Sequence, residues 1–454
     1  MKELIITSLL GISILALDIV KLRKAILPVI VLGLLGTITS CILDWGHNEN
    51  PFNNNMLLFD NYALGFIVIL SAVTLVWFLI STDHFSGSES RTDLYALVAF
   101  SFAGAMILAA YTNMVMLFLG IEILSIPMYV LAASNKKELI SNESGFKYFF
   151  LGALASSILL FGIALIYGAT GSFDLPTIAT AITTNGSGTI LTAGLLMIIV
   201  GFAFKVSIAP FHFWAPDVYQ GAPTMVTALM STLVKGAAFA AMFKLFATAF
   251  APTLDFTQTI FVVMSIITLL ASNAMASIQA NTKRLLAYSS VSHAAFMLAA
   301  VMLANTISPS VLMYYVLVYS VSSIVTFATL YHISKAQNGA EGFDAFKGLV
   351  KRNPILAGAM TLALLSMAGI PPLSGFMAKY FIIGAVIQAD QIWLAVIMIL
   401  SSAIGIYYYL KIIMAMFTPI ENAGRIVITD LQRILFIILS IAMVALFFVA
   451  AFVK

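Results

Sequence analysis

Gly201-Phe202-Ala203-Phe204-Lys205-Val206-Ser207-Ile208-Ala209-Pro210-Phe211-His212-Phe213-Trp214 sets a lysine and a proline inside an apolar run that begins near residue 189. The run is long enough to cross a bilayer, where a central charge costs roughly 2.5–3.5 kcal/mol even on the lenient insertion scale. Proline removes a backbone donor and clashes with the preceding turn, so a discontinuous helix is expected near the end of this span. A charge beside freed backbone carbonyls reads as part of a proton or cation path. Snorkelling of Lys205 to the interface is the competing reading. His212 and Asp217 could form the mouth of such a path, although a hydrated interface explains them equally well.

Working outward, three more charges occupy the centres of apolar stretches: Glu122, Lys235 and Lys379. Glu122 sits in Phe118-Leu119-Gly120-Ile121-Glu122-Ile123-Leu124-Ser125-Ile126-Pro127, where burial opposes ionisation and a nearby ammonium favours it. A structural polar contact between helices is its bland alternative. Lys235 lies in Thr232-Leu233-Val234-Lys235-Gly236-Ala237-Ala238, whose small residues permit close helix packing with room for water. Lys379 follows Gly369-Ile370-Pro371-Pro372-Leu373-Ser374-Gly375, a stretch that must break the overlong run 354–386. A break next to a charge is expected where a pathway crosses a helix. His293 closes Leu286-Ala287-Tyr288-Ser289-Ser290-Val291-Ser292-His293, whose hydroxyls and imidazole could line a wetted path. A hydrogen-bonded interhelical histidine competes with that reading. Lys244 and Lys411 are read as residues that reach toward the interfaces, with a functional role left open.

The composition agrees with a membrane class. Of 454 residues, 61% are hydrophobic and 9% charged, where about a quarter charged is usual for soluble domains. A nucleic-acid role is excluded. Cys41, the single cysteine, cannot form an internal disulfide or a thiolate metal site. Met1-Lys2-Glu3 lacks a basic signal-peptide start, so the first run is expected to be a retained span.

Fourteen spans are expected, near 3–20, 25–43, 59–81, 93–110, 113–133, 145–169, 189–213, 222–249, 256–277, 284–304, 309–334, 354–386, 391–417 and 428–453. With that alternation, fifteen of the 22 Lys and Arg residues fall in loops at one end and only Lys2 and Lys454 at the other. The positive-inside rule makes the rich end cytoplasmic, so both termini face away from the cytoplasm. Asn48 to Asn55 reads as a polar external loop, and Ala336 to Lys351 as a cytoplasmic loop of mixed charge. The whole chain, 1–454, reads as one integral membrane domain with its proton-path core at about 93–417. No nucleotide fingerprint or haem-ligand pair stands out, and no redox cofactor is expected in this chain.

Four pieces carry a family resemblance: Leu119-Gly120-Ile121-Glu122, Lys205 through Trp214 with Ala215-Pro216-Asp217-Val218-Tyr219, Lys283 through His293, and Gly369 through Lys379. On these the chain resembles the subunit N family of the proton-pumping NADH–quinone oxidoreductase (respiratory complex I), within the Mrp-antiporter-like superfamily. The resemblance implies an all-α polytopic fold of about fourteen transmembrane helices. These would form two inverted helix-bundle repeats, with discontinuous helices seven and twelve. It implies a helix-five glutamate (Glu122) paired with a helix-seven lysine (Lys205), and a helix-eight lysine (Lys235) handing protons to a helix-twelve residue (Lys379), with His293 on the way. Lys379 stands where subunit M usually has glutamate, and the chain stops at Lys454 without the lateral helix of subunit L. Bacterial members are often somewhat longer. Also implied are subunits K and M as neighbours, a bacterial inner membrane, and NADH, FMN, iron–sulfur clusters and quinone used by other subunits. The competing functions are a subunit of a multisubunit Na+/H+ antiporter and a hydrogenase- or ferredoxin-linked complex. A membrane scaffold ranks last, because three central lysines to one glutamate leave cations unpaired.

Overall fold

The structure is a computed structural model that describes residues 1–47, 56–84, 92–186, 188–420 and 424–452. The Asn48–Asn55 loop, Arg91 and Lys454 lie outside the described residues. Among the described residues nineteen α-helices succeed one another in chain order. The first half comprises α1 (Lys2–Ile19), α2 (Ile26–Leu43), α3 (Asn61–Ile80), α4 (Thr92–Ala110), α5 (Met114–Ala132), α6 (Leu139–Thr170), α7 (Leu175–Asn185), α8 (Thr189–Lys205), α9 (Trp214–Gly221), α10 (Thr224–Leu229) and α11 (Lys235–Ala247). The second comprises α12 (Leu254–Ile278), α13 (Thr282–Met302), α14 (Pro309–Ala336), α15 (Leu349–Arg352), α16 (Pro354–Ala368), α17 (Ser374–Gln388), α18 (Ile392–Phe417) and α19 (Asp430–Val449).

Each of the fourteen expected spans has its helix or helix pair. Among the described residues eleven helical stretches are long and apolar enough to cross a membrane, while α8, α16 and α17 are individually shorter. Three of the fourteen spans fall short of that: α8, and α16 with α17, are pieces of the two broken spans, and α1 carries Lys2, Glu3 and Asp18 within its 18 residues. Span seven unwinds after Lys205, where Ser207 takes a left-handed φ of 62° and Pro210 comes next. Span twelve unwinds at Gly369, whose φ of 86° caps α16, a conformation that costs glycine nothing. Four spans lie between the two broken ones, so spans seven and twelve run in opposite directions, as two inverted bundles require. Between α10 and α11 the chain makes a turn of π-helix, Met230–Val234, which the sequence reading did not anticipate.

Side-chain caps fix where several helices begin. Asp60 accepts from the Ala63 amide at 2.8 Å, Asn281 from Arg284 at 3.0 Å, and Thr429 with Gln432 forms a capping box. The α10–α11 stretch and α13 are buried along nearly their whole lengths, so they form the axis on which the other helices pack. Gly162 and Gly194 let α6 and α8 approach until a Cβ on either would press on the other's carbonyl oxygen, the close contact that small residues permit between membrane helices.

Loop hydrogen bonds agree with the alternation of spans. At one end, Leu58 bonds Ala110, Met114 bonds Phe173 and Leu175 bonds Thr112. At the other, Thr282 bonds Glu341, Gly348 bonds Thr418 and Ile426 bonds Arg352. The second end also joins Lys147, Asp217 and Arg284, so described basic loops gather there.

Candidate functional site

The site begins where α5 meets the end of α8. Lys205 is the last residue of α8 and is 6% exposed. Its ammonium donates to the Ser125 hydroxyl, which itself donates to the Ile121 carbonyl within α5. The rings of Tyr129 and Tyr148 each lie 5.9 Å from Nζ, near enough for cation–π attraction. Glu122 is three residues before Ser125, and its Oε1 is buried without a hydrogen-bond partner among the described residues. Among the described residues Lys205 and Glu122 form no ion pair, so the pairing implied by the resemblance is open in this structure. The hydroxyl one turn further along α5 takes the ammonium instead. A cavity of about 10 Å³ beside Tyr129, Ser156, Gly201 and Lys205 is at the lower limit for one water.

Lys235 comes directly after the π-turn and is 1% exposed. It donates to both the carbonyl and the hydroxyl of Ser290 on α13, at 2.9 and 2.6 Å. The wider turn is a common device at functional positions in helices. One turn further along α13, His293 is held between two phenols. Its Nδ1 is 2.8 Å from the Tyr315 hydroxyl, and its Nε2 is 3.4 Å from that of Tyr409. Tyr409 also bonds Ser289. A second cavity of about 10 Å³ lies between His293, Tyr315, Ser322, Ser366 and Ala378, on the way to α17.

Lys379 is 8% exposed and donates to the Ala368 carbonyl at 3.1 Å. Ala368 ends α16, so the ammonium sits at the negative end of a half-helix. The Phe296 ring lies 5.2 Å away. Gly369 is needed twice over, because a Cβ there would come within 3.1 Å of the Lys379 stem. A larger cavity of about 270 Å³, lined by Gly369, Phe376, Lys379, Tyr380, Ile399 and Ser402, adjoins this lysine. The two broken helices thus repeat one device, a lysine at the carbonyl end of a half-helix.

The remaining candidates separate. Lys411 donates to the Ser277 carbonyl at 3.0 Å. Lys244 is 7% exposed and so does not reach water. Asp217 accepts from Arg284 at 2.7 Å and Lys147 at 3.1 Å, beside a cavity of about 200 Å³. His212 is buried. Among the described residues no group of three or more His, Cys, Asp or Glu could hold a metal ion. Sequence reading missed Ser125, Tyr315 and Tyr409 as partners. Only the helical spacing of Ser125 from Glu122 offered a hint.

Residues 111–405 match the family described as NADH:quinone oxidoreductase/Mrp antiporter, TM. A protein called NADH-quinone oxidoreductase subunit N from Cytophaga hutchinsonii is 41% identical over 428 residues, 93% of this chain and 91% of that one. Its namesake from Flavobacterium psychrophilum is 42% identical over 421 residues, 92% and 91% of the two chains. Among solved structures, a chain of respiratory complex I from Thermus thermophilus superposes with a TM-score of 0.85 at 30% identity, covering 99% of this chain and 97% of that one. A chain of the Mrp complex from Dietzia sp. DQ12-45-1b superposes at 0.88 with 21% identity, over 100% and 95%, which is a likeness of fold.

Proposed function

The chain belongs to the NADH:quinone oxidoreductase/Mrp antiporter transmembrane family, and on that premise we propose that it is the subunit-N-type proton-translocating subunit of an NADH–quinone oxidoreductase. One observation carries the reading. Three buried lysines and a histidine recur through the waist of the two bundles, each with a hydroxyl or a freed carbonyl within hydrogen-bond reach. Such groups transfer protons. Electrons would be handled elsewhere, by NADH, FMN, iron–sulfur clusters and quinone in other subunits, with subunits K and M as the neighbours.

In this scheme quinone reduction alters the surroundings of Glu122. Its carboxylate then draws the Lys205 ammonium away from Ser125, and the change in charge sends a proton from Lys235 by way of His293 to Lys379. The basic loops face the cytoplasm of a bacterial inner membrane and both termini face outward.

Purification of the tagged chain in mild detergent tests the assignment. Flavin, iron–sulfur absorbance and inhibitor-sensitive NADH–quinone reduction should co-purify with it; membrane partners without redox centres would favour the antiporter reading. Lys205→Met and Lys235→Met should then slow coupled turnover by roughly tenfold, equivalent to about 1.4 kcal/mol on the barrier, with the complex assembled. Wild-type proton-to-electron stoichiometry in both variants would sink the relay.

A further inference from the structure

Lys244 is a buried cation that this relay does not use. Among the described residues its Nζ has no hydrogen-bond partner. Two rings face it instead, Tyr62 at 5.3 Å and Tyr111 at 5.9 Å. Both phenols are turned away, donating to the α11 carbonyls of Ala240 at 2.6 Å and Ala241 at 2.7 Å. The ammonium is therefore confined by ring faces, which attract a cation yet accept no proton. Asp60, the half-buried cap of α3, stands two residues before the Tyr62 whose ring faces the ammonium, on the end of the bundle opposite the basic loops, and its charge acts on Lys244. Lys244 lies nine residues beyond Lys235 on the same helix, roughly 13.5 Å along its axis.

We propose that Lys244 and Asp60 form an outward proton port for the first bundle, a reading that rests on the relay proposed above. A proton arriving from Lys235 through bridging water is held on Lys244. The Nζ–H bond then breaks, its electron pair stays on nitrogen, and the proton passes through water to an Asp60 oxygen and on to the outer solvent. The neutral amine is reprotonated from the Lys235 side. Because the cage offers Lys244 no acceptor, Asp60 is the group that draws the proton outward.

The test uses the complete complex in sealed inverted membrane vesicles, reading protons moved per NADH oxidised. Lys244→Met and Asp60→Asn should lower the ratio, though less than Lys235→Met, which also cuts the route to Lys379, and Lys244→Arg, which cannot give up its proton, should lower it too. Asparagine caps a helix as well as aspartate, so Asp60→Asn removes the charge while keeping the start of α3. It decides the matter if Lys244→Met does not assemble. A wild-type ratio in Asp60→Asn, alongside a lowered one in Lys235→Met, overturns the port and leaves the relay standing. Failure of Asp60→Asn to assemble also overturns it, in favour of a structural pair. A wild-type ratio in Lys235→Met overturns the port as well, and together with a wild-type ratio in Lys205→Met it removes the relay too.

Discussion

Lys205 has two prospective partners on one helix, three positions apart. The ammonium is on Ser125, while Glu122 keeps a buried oxygen unpaired. A neutral hydroxyl acceptor holds a cation less firmly than a carboxylate does, so the observed state is the one from which the lysine can be drawn away. Ser125→Ala should leave a buried ammonium short of one acceptor, at a cost of about 1–3 kcal/mol. The expected outcome is a lower unfolding temperature and slower coupled turnover, with Ser125→Thr close to wild type. Equal behaviour of the alanine and threonine variants would show that the hydroxyl is idle.

At the scale of the element, the π-turn before Lys235 sets which face of α11 the lysine occupies. One extra residue in the turn rotates the downstream residues by about 100° relative to an unbroken α-helix. Among the described residues the Thr232 hydroxyl bonds only back to Ala228 in its own helix. Deleting Thr232 should therefore let the turn close into α-helix and move Lys235 away from Ser290. The complex should assemble, and its proton-to-electron ratio should fall toward that of Lys235→Met. An unchanged ratio would mean that the turn has no bearing on the relay. The break at Gly369 was legible beforehand because two prolines forbid a helix. The π-turn was not, because Met-Ser-Thr-Leu-Val is an ordinary helical sequence whose distortion comes from its neighbours.

Across the whole molecule, the corner formed by Lys147 on α6, Asp217 on α9 and Arg284 on α13 ties the segment after the first break to both bundles. Such partly exposed pairs are worth about 1 kcal/mol or less each and weaken with salt. Asp217→Asn should lower the unfolding temperature of the complex slightly at low ionic strength, with the difference shrinking in high salt. A salt-independent loss would point to packing of α9 instead. The outer surface is apolar on many sides, with Leu9 and Ile12 on α1 and Trp393 and Ile399 on α18 exposed. Such a surface suits lipid or neighbouring membrane subunits.

The sequence by itself determined the fourteen spans, both breaks and the buried charges. Length and apolarity fix what crosses a bilayer, proline fixes where a helix must stop, and a charge inside an apolar run stands out whatever surrounds it. Only the tertiary structure decided which partner each charge meets. Lys205 on Ser125, Lys235 on Ser290 and His293 between Tyr315 and Tyr409 join residues 80, 55, 22 and 116 positions apart. Serine and tyrosine are ordinary in membrane helices, so nothing local distinguishes the ones that matter. It also showed that Lys244 is enclosed and does not snorkel. Enclosure depends on where Tyr62 and Tyr111 arrive from other parts of the chain, and no property of α11 alone encodes it.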